Sequence, residues 1–291
     1  MVDDVTSSEI RVLLDGLAFG ESVRWHDGRV WVCDWVDGDV LSVASDGSDR
    51  RVEAHVDGFP VCIDWSAEGA LLVVSGRTGR LLRRTADGDL VEVADLTGLS
   101  PHPWNEVAAH PGGWAYVDGI GFDMMGGQPA EPAGLLALVA PDGTPRIVAD
   151  GLAFPNGMVV VDDGATLLVA ESHAGRISAF AIDGDDGSLG ERRTWAAVAG
   201  SAPDGIGVAA DGSLWYADVP NEHCRRIAEG GDVLATVPLD RGGFSCASGP
   251  DGTLYVSEAR NHRVRAISPA GVVRTVAGCG PDDRTHGHAL R

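Results

Sequence analysis

One layout recurs six times along this chain, and it constrains the fold more than any other feature. The fifth copy shows it most fully, as Ala202-Pro203-Asp204-Gly205-Ile206-Gly207 followed by ADGSLWYAD. A carboxylate sits on a Pro/Gly-framed turn ahead of a short apolar run. An Asp211-Gly212 turn follows, and then the alternating strand Leu214-Trp215-Tyr216-Ala217. The residues in the Asp204 phase are Glu21, Cys62, Asn105, Asn156, Asp204 and Cys246, with successive separations of 41, 43, 51, 48 and 42 residues.

Periods of this length, each with about four short strands, are what the blade of a propeller requires. Within each copy, apolar residues alternate with small or polar ones, as sheets stacked face to face demand. The 40 glycines and 15 prolines, spread over 291 residues, break almost every window in which a long helix could form. The expectation is an all-β chain: a single six-bladed β-propeller domain with four-stranded antiparallel blades around a central channel. The blades are assigned to residues 20–59, 60–103, 104–154, 155–202, 203–243 and 244–280. A β-sandwich pair is the competing architecture, but it would not produce six copies in phase. A strand over 9–14 is left over before the first copy and a lone strand, Val272–Val276, after the last. Pairing these termini in one blade closes the ring and removes its exposed edges.

The formal net charge of −21 opposes contact with nucleic acid or anionic membranes. Five cysteines with no close pair indicate neither a disulfide framework nor a cysteine zinc site. MVDDVTSSEI has neither the basic nor the apolar region of a signal peptide, which points to a cytoplasmic setting. The expected partner is a small-molecule substrate, with the protein a monomer or weak homo-oligomer.

The innermost strand of each propeller blade lines the channel, so residues in one repeat phase lie at one height around the axis. Glu21, Asn105, Asn156 and Asp204 then converge from blades one, three, four and five. Two carboxylates and two amide carbonyls are hard oxygen donors suited to Ca²⁺ first, with Mg²⁺ or Mn²⁺ next and Zn²⁺ also possible. Any one of these residues alone reads as an ordinary turn. The repeat's other turns, Asp27-Gly28, Asp163-Gly164, Asp211-Gly212 and Asp251-Gly252, occupy a different phase. Cys62 and Cys246 take the ligand phase in blades two and six, where small apolar lining is the simplest role.

Gly20-Glu21 with RWHDGRVWVCD, PNGMVV with LLVAES, and PDGIGVAADGSLWYAD together resemble the gluconolactonase, senescence marker protein and luciferin-regenerating enzyme family of six-bladed propellers. The resemblance implies a divalent metal held by Glu21, Asn156 and Asp204, with Asn105 as a fourth ligand or a substrate contact. It implies hydrolysis of a lactone or related ester, with the metal polarising the carbonyl and Asp204 as general base toward water. Sugar-lactone members carry an arginine two residues before the Asn105 position, where this chain has Pro103. Trp104, Asn105, Glu106, Phe122 and Met124, with Met125, are then the candidate substrate contacts of a more apolar mouth. Two other readings are a non-hydrolytic propeller enzyme such as a cyclase or lyase, and an interaction propeller. The second rests on Asn261-His262-Arg263-Val264 with RTVAG, which resembles an NHL-repeat blade. His102, His173 and His223 follow strand ends and are weaker candidates for the mouth.

Overall fold

The computed structural model describes residues 10–123, 131–271 and 273–274. Six separate antiparallel sheets are arranged in a ring. In blades one to five, four consecutive strands run outward from the axis. Blade one comprises Gly20–His26, Arg29–Asp34, Asp39–Ala44 and Arg51–His55. The innermost strands of the next five are Val61–Trp65, Trp104–Ala109, Pro155–Val161, Pro203–Val208 and Ser245–Ser248, each packed on its neighbours until the last meets the first. The hairpin turns follow the sequence: Asp27 and Gly28 both have positive φ (47° and 75°), as a two-residue turn between twisted strands requires.

The apolar core lies between the blades, in six wedges, and leaves the axis polar. Leu14, Val23, Val32, Tyr255 and Val264 pack blade six on blade one, and Leu136, Met158, Val169 and Phe180 pack blade three on blade four. Beside the axis, every adjacent pair of blades is also stitched by a hydrogen bond. Ile63 N donates to Ser22 Oγ (3.1 Å) and Ala109 N to Asp64 Oδ2 (2.7 Å). Asn105 Nδ2 donates to Asn156 Oδ1 (3.0 Å) and Ser172 Oγ to the Pro203 carbonyl (2.7 Å). Gly205 N donates to the Phe244 carbonyl (2.9 Å) and Val23 N to Ser245 Oγ (2.9 Å).

Closure is made by the N-terminal strand Ile10–Asp15, which is the outermost strand of blade six and pairs with Arg263–Ile267. The other terminal strand does not join it. Val273–Arg274 pairs with Val233–Pro238 as a fifth strand on blade five. Blade six already has four strands, so the next free sheet edge receives the chain. The NHL-like motif serves the same closure. His262 has φ 57° and its Nδ1 donates to the Leu17 carbonyl (2.9 Å), joining the last blade to the segment entering the first. Among the described residues no helix is long and apolar enough to cross a membrane.

Candidate metal centre and active site

Four of the six innermost strands carry a one-residue β-bulge. In blade one the register slips between Glu21 and Arg24, and in blade three between Trp104 and Val107. In blades four and five it slips between Pro155 and Met158 and between Pro203 and Ile206. Blades two and six keep an unbroken register. The bulges fall at Asn105, Asn156 and Asp204 and, in blade one, immediately after Glu21, and the two regular strands are those with cysteine in that phase. A bulge inserts a residue and re-aims the side chains around it. The ligand-phase residues are therefore within strands rather than on turns ahead of them. Gly157 and Gly205 serve close packing: a Cβ on Gly157 would lie 2.5 Å from Ile206 N, and one on Gly205 would lie 2.6 Å from the Ser245 Cα.

All four side chains line one cavity of about 430 Å³ at the mouth of the channel. Burial raises the Glu21 carboxyl from its ordinary 4.5 to about 8, with repulsion from Glu106 adding to it and the Ser22 N–H and Arg24 opposing. Burial likewise pushes the Asp204 carboxyl well up, reinforced by the charges of Glu21 and Glu106. Asn105 and Asn156 bond each other, and Asn156 Nδ2 also donates to Ser172 Oγ (3.3 Å), which fixes the plane of its amide. Two mutually repelling buried carboxylates beside two amides, with no cationic side chain on the wall, are a donor set that fits a divalent cation. Among the described residues no group of three or more His, Cys, Asp or Glu side chains gathers as a metal site. The candidate centre is thus all-oxygen and half amide.

Below this floor, Arg24 Nη2 pairs with Glu106 Oε2 at 2.7 Å. Burial works against the charged guanidinium, but Glu106 and Asp64 outweigh it and hold Arg24 above its ordinary value. Asp118 Oδ1 accepts from Glu106 N (2.6 Å), and burial, with Glu106 adding, raises its carboxyl well above the usual range. Glu106 is therefore a buried partner of Arg24 and is not among the residues that line the cavity.

Trp104 is likewise not at the mouth. It is 1% exposed and packs in the wedge between blades two and three, because the bulge turns Asn105 to the channel and leaves Trp104 facing Leu72, Leu81 and Val117. Phe122 does reach the mouth indirectly. Its ring meets Phe154 (5.4 Å) and His173 (5.8 Å), both of which line the cavity. Met124 and Met125 lie outside the described residues. His102 and His223 do not line the cavity; His223 sits beside Asp218 (3.6 Å) and is held below its ordinary value by burial and then Arg225. Cys62 and Cys246 are fully buried and are not among the residues that line the cavity; burial pushes the Cys62 thiol well up.

The walls are mostly residues that pattern reading passed over: Phe19, Trp35, Phe59, Phe154, Phe244 and Ser172. A signal was present. Phe19, Phe154, Ala202 and Phe244 each stand two residues before the ligand phase. Trp35, Ser172 and Val219 each follow a buried carboxylate at the end of a second strand, namely Asp34, Glu171 and Asp218. Those carboxylates tether the entering chain: Asp34 accepts from Ala18 N (2.7 Å) and Phe19 N (3.0 Å), Glu171 from Ala153 N (2.8 Å), and Asp218 from Ala202 N (3.2 Å). Arg24 has no counterpart in the other copies, and nothing in the repeat announces it.

A family model described as SMP-30/Gluconolactonase/LRE-like region matches residues 19–260. Pentonolactonase XacC of Haloferax volcanii is 28% identical over 263 residues, covering 80% of this chain and 84% of its own. A gluconolactonase from Xanthomonas campestris superposes with a TM-score of 0.71 at 22% identity, covering 91% of this chain and 89% of that one. A calcium-binding protein, regucalcin, from Agrobacterium tumefaciens superposes with a TM-score of 0.73 at 19% identity, covering 88% and 92%.

Proposed function

Since the chain belongs to the SMP-30/gluconolactonase/LRE-like family, we propose that it hydrolyses lactones at the mouth of its central channel with the help of a divalent cation. The observation that carries the proposal is the coincidence of the four β-bulges with the four oxygen-bearing residues. Bulges next to active sites aim side chains, and the strands that carry cysteine in that phase have none. Lactonase activity in the pentonolactonase relative and calcium binding in the regucalcin neighbour support the reading and favour Ca²⁺.

Glu21, Asn156 and Asp204 would hold the cation, with Asn105 as fourth ligand or as a donor to the substrate carbonyl. When bound, a divalent cation polarises the lactone carbonyl and acidifies a neighbouring water. Asp204 accepts the proton of the attacking water, and the same carboxyl can return it to the ring oxygen as the carbon–oxygen bond breaks. Ser172 holds the Asn156 amide to the Pro203 carbonyl, keeping blades four and five in register across the reacting group. The apolar wall excludes bulk water, which strengthens every charge interaction on the floor.

Chelator-stripped protein should lose hydrolysis of γ-butyrolactone and regain it on addition of Ca²⁺. Full activity in protein shown to be metal-free by elemental analysis would sink the proposal. Stoichiometric metal with no turnover across a lactone panel would instead favour a non-hydrolytic reaction at the same site. Neither metal nor turnover would favour an interaction propeller.

A further inference from the structure

Above its polar floor the cavity is walled by aromatic rings. Phe244, Phe19, Trp35 and Phe59 form a continuous arc, with centroid separations of 5.0 Å, 5.5 Å and 5.0 Å. Across from them Phe154 meets His173 at 4.8 Å, with Phe122 behind both. Five phenylalanine and tryptophan rings stand half-buried around one opening. Trp35 also packs against the wedge between blades one and two, its Nε1 donating to the Val61 carbonyl (2.6 Å), whereas Phe19, Phe59, Phe154 and Phe244 belong to none of the wedges. Apolar surface kept open in this way marks a binding site.

Phe154 adds a second observation. Its φ is 59°, a left-handed conformation rare for a bulky residue. Such strain persists where the surroundings hold a side chain in place, and it clusters at ligand sites. Here it places a ring on the wall two residues before Asn156.

Polar groups on the same wall are few. Ser172 Oγ is engaged, donating to Pro203 and accepting from Asn156. The His173 imidazole packs against Phe154 and Phe122, and burial lowers it from its ordinary value, which disfavours its charged form. No lysine or arginine is among the lining residues described. A polyhydroxylated substrate would leave hydroxyls unpaired against these rings, each at a penalty of roughly tenfold in affinity.

We infer that the substrate is a lactone bearing an aryl or alkyl substituent, seated among Phe19, Trp35, Phe59, Phe154 and Phe244, and not a sugar lactone. The inference rests on the lactonase reading above. The test compares kcat/KM of the metal-loaded protein for three five-membered lactones: γ-butyrolactone, γ-phenyl-γ-butyrolactone and xylono-1,4-lactone. The phenyl lactone should exceed the unsubstituted one by at least about tenfold, and xylonolactone should fall below both. Xylonolactone turned over as well as the phenyl lactone overturns the inference while leaving the lactonase reading intact.

If none of the three is turned over, the lactonase reading fails, and calorimetry decides the pocket's chemistry separately. 3-Phenylcyclopentanone, the carbocyclic isostere, should then bind at least tenfold more tightly than xylonolactone, and equal binding overturns the inference. Phe154→Gly removes the ring at a backbone position that glycine adopts freely, so a loss of folding does not confound it. It should lower the phenyl-to-unsubstituted ratio of kcat/KM about tenfold, as should Trp35→Leu. A ratio unchanged in both variants overturns the assignment.

Discussion

Glu21 and Asp204 pose a problem that their own chain does not solve, since burial raises both carboxyls, Glu106 adds to the rise at Glu21, and Glu21 and Glu106 add to it at Asp204. A cation seated between them and the Asn105 and Asn156 amides would relieve it. Glu21→Gln should therefore weaken Ca²⁺ binding and lower kcat/KM about a hundredfold, near 3 kcal/mol, while Tm in the presence of chelator stays level or rises. A chelated variant less stable than the chelated parent contradicts this account. The pH dependence has a definite sign. In metal-free protein Glu21 keeps its proton up to about 8, whereas the unfolded chain releases it near 4.5. The folded state thus binds more protons across that window, and stability must fall as pH rises through it. Metal-free Tm should decline from pH 4.5 to 8 and calcium should restore it most at the upper end; a rising metal-free profile would be evidence against the buried pair.

The innermost strand does two jobs, aiming a cavity side chain beside its bulge and packing against the next strand around the axis. Glycine lets both happen at one place. At Gly157 an added Cβ would strike Ile206 N and the Asp204 carbonyl, which are backbone atoms and cannot swing aside. Gly157→Ala should destabilise the fold by about 3 kcal/mol, the upper range of overpacking, and displace Asp204 along with the strand. Urea denaturation measures the first effect and calcium titration the second. A stable variant with weakened calcium binding would mean that the strand yields locally and that only the site is strained. The second strands act as anchors. Asp34, Glu171 and Asp218 each take a backbone N–H from the segment that leads into a ligand, so the same carboxylate fixes both the wall residue after it and the floor residue beyond.

At the scale of the whole molecule, convergence depends on closure, because the candidate site takes side chains from four blades and these meet only if the ring is complete. Removing residues 1–15 would strip the outer strand from blade six and expose Val264 and Ala266 by taking away Leu13 and Leu14. Loss of two buried leucines is worth about 4 kcal/mol, or roughly 10 °C in Tm. The truncated protein should show that shift by calorimetry together with self-association through the freed edge of Arg263–Ile267. A monomeric protein of unchanged Tm would show that closure is carried elsewhere.

The repeat made the propeller and the ligand phase legible in the sequence, since spacing along a chain is preserved when identical units stack around an axis. Glu21, Asn105, Asn156 and Asp204 could be named together for that reason alone, and all four line one cavity. Trp104 packs in a wedge and Glu106 pairs with Arg24 because successive residues of a strand face opposite sides, which turns both neighbours of Asn105 away from the cavity. The aromatic arc was hidden for a different reason. Its rings come from blades one, two and six: ring closure sets Phe244 against Phe19, and the packing of adjacent blades sets Trp35 against Phe59. Periodicity determined the architecture and the identity of the floor. Side-chain direction and contacts across the ring, which depend on closure and on register within each blade, were decided by the tertiary structure alone.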